Sequence, residues 1–246
     1  VDLLMFSQQL IEATTEFASA YRIGLSFYLT HENGLEVLGQ VIKTIPDDIP
    51  IILDGKFGSV GDMASHEARL AYQVLGVDAV TVNPYAGADV VIPFLCPDKT
   101  VFVLIRSGNT TASDFQLWPN EQAPFFRYVA AQCNTLAGQY PGQMGLEVAA
   151  TQPRDLARIR SWVPKLPFLI PGGGVRGSDL TQSIKKGITQ DGIGPLMSVS
   201  RSIIYASRTS DFADAAHTAA HDWVQHIRSV KATYRGDEAE QKMADQ

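Results

Sequence analysis

A parallel α/β barrel is the fold this sequence predicts, and three observations predict it. Short apolar strands alternate with helical stretches along 246 residues, with no linker and no break in composition. On one side the strands run out into polar or glycine-rich segments, as barrel strands do at the mouth that carries chemistry. At 45% hydrophobic the chain can bury one substantial core, and a single barrel of this length is as reasonable as two small domains. The unbroken alternation favours one domain over residues 1–235, followed by a charged tail over 236–246.

Taken in order, Leu3 to Ala18 alternates at helical spacing and Ala20 to Phe27 reads as extended. Glu32 to Thr44 is a helix with a stripe of Leu35, Val37, Leu38, Val41 and Ile42, stopped by Pro46 and Pro50, and the strand from Ile51 follows. Gly61 to Gly76 is a helix rich in small residues, Val77 to Asn83 a strand, Ala88 to Leu95 a short helix and Thr100 to Ile105 a strand. A loop follows Ser107, then a helix over Gln122 to Ala137, a strand over Met144 to Ala150 and a helix from Pro153 to Ser161, with proline in its first turn. Pro167 to Ile170 and Leu196 to Val199 are strands flanking a helix over Leu180 to Gly187, and Asp211 to Ser229 is the terminal helix. Seven strands result, one short of a closed eight-stranded barrel. Because the chain opens with a helix where a barrel would supply its first strand, that strand is expected to be absent, leaving two open edges.

The net charge of −6 gives no overall attraction to nucleic acid or to an anionic membrane, but leaves room for a local anion site. Cys96 and Cys133 have no metal or disulfide spacing and read as free thiols of a reducing compartment. Neither a leader pattern nor an apolar run of about 20 residues is found, so a cytosolic protein is expected. The opening at Val1 suggests processing or truncation.

The stretch with most chemical content is Ile51 to Ser59. Asp54 and Lys56 are two residues apart at the end of a buried strand, so both side chains point to one face at the mouth. A surface salt bridge is the plain alternative. The other strand ends bring Arg22, Ser26, Asn83, Arg106, Ser107, Thr151, Gln152, Ser200 and Arg201 to the same mouth. Residues 171–179, PGGGVRGSD, form the best anion-binding segment: glycines let backbone N–H groups turn inward, and Arg176 and Arg201 add forked cations. A tight structural turn explains the glycines equally simply. Asn109, Asp114 and Gln116 could read the polar edge of a flat ligand or merely cap turns. His217 and His221, four apart on one helix, are too few for a closed metal site, and Trp118, Trp162 and Trp223 read as packing anchors.

These segments together carry a family resemblance. AYRIGLSFYL (20–29), IPIILDGKFGSVG (49–61), GVDAVTVNPYAG (76–87), VFVLIRSGN with DFQ (101–116), ATQPRDLARIRSWVP (150–164), FLIPGGGVRGSD (168–179) and SVSRSIIYAS (198–207) span nearly the whole chain. In this order they resemble orotidine 5'-phosphate decarboxylase, in the longer bacterial branch of that family. The resemblance implies a (β/α)₈ TIM barrel acting as a homodimer without a cofactor, converting orotidine 5'-monophosphate (OMP) to uridine 5'-monophosphate (UMP) and carbon dioxide. It implies an Asp-x-Lys-x-x-Asp segment joined by a lysine from the preceding strand, with the last aspartate given across the dimer boundary.

On this chain Asp54 and Lys56 match the first two positions, Lys56 as proton donor, while the third is Ser59 and the expected lysine is Arg22. Met63 stands where the family offers threonine across the boundary. Ser107-Gly108-Asn109 replaces Thr-Ser-Asn, so the serine that bonds the pyrimidine falls on Gly108. Asn83 and Asn109 keep polar places around the ligand. In the phosphate loop, Gly172, Gly174 and Gly177 keep glycines, Arg176 replaces a glutamine, and Arg201 matches the phosphate arginine. The absent first strand would be supplied or covered by a fusion or a partner.

Two readings follow: a working decarboxylase in which Ser59 and Arg22 are compensated, or a silent relative that binds a nucleotide monophosphate or serves a structural role. A different lyase or aldolase using Lys56 is a third.

Overall fold

The computed structural model describes residues 2–174 and 179–244, with side chains through Tyr234. Helix α1 (Leu3–Thr14) starts at Asp2, whose Oδ1 accepts a 2.8 Å hydrogen bond from the Met5 N–H and so satisfies one of the open donors of the first turn. The chain then enters the sheet at β1 (Tyr21–Gly24), followed by helices α2 (Leu25–Leu29) and α3 (Gly34–Ile42). Strand β2 (Ile51–Phe57), helix α4 (Asp62–Arg69) and β3 (Ala79–Val82) come next, with a π-helical turn at Leu70–Val74 extending α4. Short 3₁₀ turns stand where a helix over Ala88 to Leu95 was expected, because Pro93 removes a backbone donor there.

Strand β4 (Thr100–Arg106) leads through α5 (Ser113–Gln116) to α6 (Phe125–Gln139), then β5 (Met144–Val148) and α7 (Pro153–Trp162). The chain finishes with β6 (Phe168–Pro171), α8 (Leu180–Gly187), β7 (Leu196–Ser198), α9 (Arg201–Ile204) and the long α10 (Phe212–Ala244). All neighbouring strands are parallel, in the order β1 to β7.

The sheet is strongly curled. Arg22 on β1 lies 3.3 Å from Glu147 on β5, yet strands four places apart in a flat sheet would be separated by about 19 Å. Such contact across the interior requires a barrel. The main core lies between sheet and helices, around Leu38, Leu53, Phe94, Phe126, Leu146, Ile159 and Phe168. A smaller cluster of Ile52, Ala79, Phe102 and Leu169, with Ala20 and Leu196 beside it, fills the barrel floor. Gly145 makes room for it: a Cβ there would stand 2.6 Å from the Phe102 ring.

The expectation of a missing first strand is corrected by this arrangement. Strand β1 is present as Tyr21–Gly24, paired with β2 from Tyr21↔Ile51 to Gly24↔Asp54, and the seven strands form a nearly closed barrel. At the seam Arg22 Nη1 on β1 donates to Ser198 Oγ on β7 at 3.4 Å. Outside it α1 and the 3₁₀ turn that follows it pack on α10, with the Phe6 and Phe212 rings 5.0 Å apart and His217 Nε2 3.0 Å from Glu16 Oε1. The opening helix, read from sequence as standing in a strand's place, covers the seam from within the chain. With β1 present and paired, no absent first strand calls for the covering partner or fused segment expected from the sequence.

Of the tryptophans, Trp162 packs against Phe126 at 5.9 Å, whereas Trp118 is exposed and anchors nothing in the core. Among the described residues no helix is long and apolar enough to cross a membrane.

Candidate active site

One step of two residues above the apolar floor, the inward positions turn polar. Ala20 gives way to Arg22, Ile52 to Asp54, Ala79 to Thr81, Gly145 to Glu147 and Leu196 to Ser198. The period of the strand thus stacks a charged ring on a dry base, at the end of the barrel to which the strands' C-termini point.

Within that ring two carboxylates and two cations alternate. Asp54 Oδ2 is 2.7 Å from Arg22 Nη2, and Asp54 Oδ1 is 2.6 Å from Lys56 Nζ. Glu147 Oε1 faces both cations, at 3.3 Å from Arg22 Nη2 and 3.4 Å from Lys56 Nζ. Thr81 Oγ1 donates to Asp54 Oδ1 at 2.7 Å and accepts from the Lys56 N–H at 3.0 Å.

Lys56 reaches this place through a break in the strand. The β2–β3 register shifts between Leu53 and Phe57, and Lys56 has φ 44°, a left-handed conformation that a side chain with a Cβ adopts at a cost of about 1–3 kcal/mol. Sequence reading placed Asp54 and Lys56 on one face of a regular strand. The structure does bring them together, but by a bulge that Thr81 fills, not by simple alternation.

Burial by itself would push the Asp54 carboxyl up, but Arg22 and Lys56 beside it outweigh that and hold it below the ordinary range. Glu147 goes the other way. Burial raises it, and its attraction to Arg22 and Lys56 does not overcome the cost of keeping a charge on a side chain only 3% exposed. Its Oε2 is buried and has no hydrogen-bond partner.

Ser59 is not part of the ring. Its Oγ donates to Glu67 Oε1 on α4 at 2.6 Å, and Met63 is exposed on the same helix. Asn83 is exposed at the end of β3, where its side-chain oxygen accepts from the Tyr85 N–H at 3.1 Å.

The segment after β4 is braced from below. Arg106, 4% exposed, donates from Nε to Asp155 Oδ2 at 2.8 Å and from Nη1 to Gln116 Oε1 at 3.1 Å. Gln116 also accepts from the Ser107 N–H and donates to Ser107 Oγ, which in turn donates to Asn109 Oδ1 at 2.6 Å. Gln116, read from sequence as able to meet a ligand, spends its amide on this loop. Gly108 is tightly seated: a Cβ there would lie 2.7 Å from Thr151 Oγ1 and 3.1 Å from Ala149 Cβ. A serine at this point would require Thr151 to move.

At the next mouth segment, Gly172 has φ 88°, which favours glycine, and a Cβ on Gly174 would stand 2.5 Å from Ser202 Oγ. Ser202 follows Arg201 at the exposed start of α9, so the glycine turn and the Arg201 segment meet. Arg176 and Gly177 lie outside the described residues. His217 and His221 are edge-on to Phe17, holding α10 to the segment after α1. No cluster of three or more potential metal ligands occurs among the described residues.

Sequence reading missed Glu147. The signal was there in MGLEV: one carboxylate inside a buried strand, in phase with Gly145.

Residues 4–216 match the family described as orotidine 5'-phosphate decarboxylase / HUMPS. The chain is 38% identical over 241 residues to an orotidine 5'-phosphate decarboxylase of Thermomicrobium roseum, covering 95% of this chain and 85% of that one. It is 39% identical over 221 residues to that of Ralstonia nicotianae, covering 89% and 81%. Among solved structures it resembles the OMP decarboxylase of Leishmania donovani with a TM-score of 0.83 at 33% identity, covering 93% of this chain and 87% of that one. It also resembles the UMP synthase of the same organism, with a TM-score of 0.83 at 34% identity, covering 93% of this chain and 50% of that one. With the family match extending from α1 into α10, and with relatives of this identity along most of its length, the chain belongs to the orotidine 5'-phosphate decarboxylase family, which acts in pyrimidine nucleotide biosynthesis.

Proposed function

We propose that this chain itself decarboxylates OMP to UMP and carbon dioxide. The observation that carries the reading is the Asp54–Lys56 contact of 2.6 Å, held on a strained bulge at the barrel mouth. The substrate carboxylate enters beside Asp54, where two like charges disfavour the bound carboxylate and lose their repulsion when carbon dioxide leaves. The C6–carboxylate bond breaks with its electron pair left on C6, the Lys56 ammonium stabilises that charge, and one ammonium proton passes to C6. Lys56 is 39% exposed, so its neutral amine regains a proton from solvent. The electrons stay with the substrate and the step as written calls on no cofactor.

Arg22, standing for a lysine, keeps a positive charge between Asp54 and Glu147. Gly172, Gly174 and Arg201, with Arg176 and Gly177 in the same segment, take the phosphate; Asn83, Gly108 and Asn109 line the side of the base. A cytosolic place of action belongs to this reading and is supported by the free thiols of Cys96 and Cys133.

One observation favours a second reading, binding of a nucleotide monophosphate without turnover: Ser59 faces Glu67 and adds no carboxylate to the ring. Release of carbon dioxide from OMP by the purified protein, followed together with UMP binding, separates the two. Turnover that disappears in Lys56→Ala while UMP still binds supports the decarboxylase; UMP binding with no release by the wild type supports the silent relative.

A further inference from the structure

Glu147 is the ionisable side chain of the ring to which no motif assigns a role. We propose that Glu147 is a positioning residue, which holds the Lys56 ammonium and the Arg22 guanidinium from the side opposite Asp54 and thereby supplies, from β5 of the same chain, the second carboxylate of the array.

The inference rests on the decarboxylase reading of this site, and its physical argument is local. Lys56 ends in a compact ammonium on a flexible four-carbon stem, 39% exposed. Bound by Asp54 alone, that stem would be free to pivot about a single contact toward solvent. Glu147 gives it a second anchor, 3.4 Å away, and gives Arg22 Nη2 one at 3.3 Å. The anchor is itself immobile: Glu147 is 2% exposed on a central strand, paired in register with Leu104 on β4 and Leu169 on β6.

Burying a carboxylate there is unfavourable before pairing, and an apolar side chain of similar volume would pack on the Ile52–Phe102–Leu169 floor at no such cost. Nor is the carboxylate saturated, because Oε2 is left without a partner. A group placed only to stabilise the barrel would be better satisfied. Asp54 is bonded on both oxygens and cannot replace it, and Ser59 is turned to Glu67.

Glu147→Gln keeps the size and removes the charge, while Glu147→Asp keeps the charge and draws it back from Nζ. Three experiments are made on each variant: steady-state kinetics giving kcat and KM for OMP, the rate of reductive methylation of Lys56 read by peptide mass spectrometry, and thermal unfolding. Lys43 and Lys165, both exposed, serve as internal references for the labelling. In Glu147→Gln, kcat falls by about tenfold or more with KM little changed, as expected when a reacting group loses its orientation. Lys56 is methylated faster, and Lys43 and Lys165 are not. Glu147→Asp gives intermediate values of both and decides the matter if the Gln variant does not fold.

Methylation of Lys56 at the wild-type rate in the folded variants overturns the proposal, as does unchanged kcat. If the wild type shows no turnover, the decarboxylase reading fails by itself, and the labelling of Lys56 still decides the role of Glu147.

Discussion

Ser59 Oγ donates a 2.6 Å hydrogen bond to Glu67 Oε1, so the third position of the Asp-x-Lys-x-x-Asp pattern is tied to helix α4 and not to the charged ring. An aspartate at this point would face the Glu67 carboxylate and be repelled by it.

From this pairing it follows that Ser59→Asp by itself does not raise OMP turnover, since the new carboxylate stands against Glu67, whose Oε2 is already buried and unpaired. Ser59→Asp with Glu67→Gln does raise it. Turnover of the two single variants and the double variant, treated as a double-mutant cycle, gives a coupling of about 0.5–3 kcal/mol between the sites. Additive effects would remove the coupling.

Arg201→Ala weakens UMP binding by about tenfold to a hundredfold, the loss of one charge-assisted hydrogen bond of about 1.5–3 kcal/mol. Uridine, which has no phosphate, binds the variant as it binds the wild type. Calorimetric titration with both ligands checks this, and equal losses for the two would detach Arg201 from the phosphate.

The two carboxylates of the ring give opposite pH signatures. Asp54 is held below its ordinary value of 3.8, against burial, by Arg22 and Lys56. Its contribution to stability is therefore present above that value and lost as pH falls through the lower folded pKa. Glu147 is raised above its ordinary 4.5 by burial, so its contribution is complete below 4.5 and lost as pH rises through the folded pKa. Urea midpoints measured across acid pH fall less steeply at the acid end in Asp54→Asn, and decline less from acid toward neutral pH in Glu147→Gln.

Asp155→Ala leaves the Arg106 guanidinium, 4% exposed, without its carboxylate. Breaking a buried pair in this way costs about 3–5 kcal/mol, read as a lower urea midpoint. The same change loosens the Ser107–Asn109 loop, because Arg106 also holds Gln116. A loss below about 1 kcal/mol would place the pair among exposed ion pairs of little consequence.

The alternation of strands and helices and the glycine turn before Arg201 were legible because each depends on residues close in sequence; Asp54 and Lys56 were legible as a pair, but the bulge that joins them rests on the distant Thr81. Gly172 needs its left-handed turn whatever surrounds it, and Pro93 breaks a helix wherever it stands. The seam was misread for the opposite reason: whether an opening helix replaces a strand or covers an edge depends on what it meets. Here α1 meets α10, some 200 residues away along the chain. Gln116 was left open between a ligand and a turn because sequence shows an amide's capacity to hydrogen-bond but not which partner takes it.

By itself, then, the sequence determined the parallel barrel and the charged end of β2, since local periodicity and turn chemistry decide these, while its motif segments carried the family resemblance. Tertiary structure alone decided that Glu147 joins Arg22, Asp54 and Lys56, since curling the sheet sets β5 opposite β1 and β2 across the interior. A strand's period fixes which side of the sheet a residue faces; only closure of the barrel fixes what faces it.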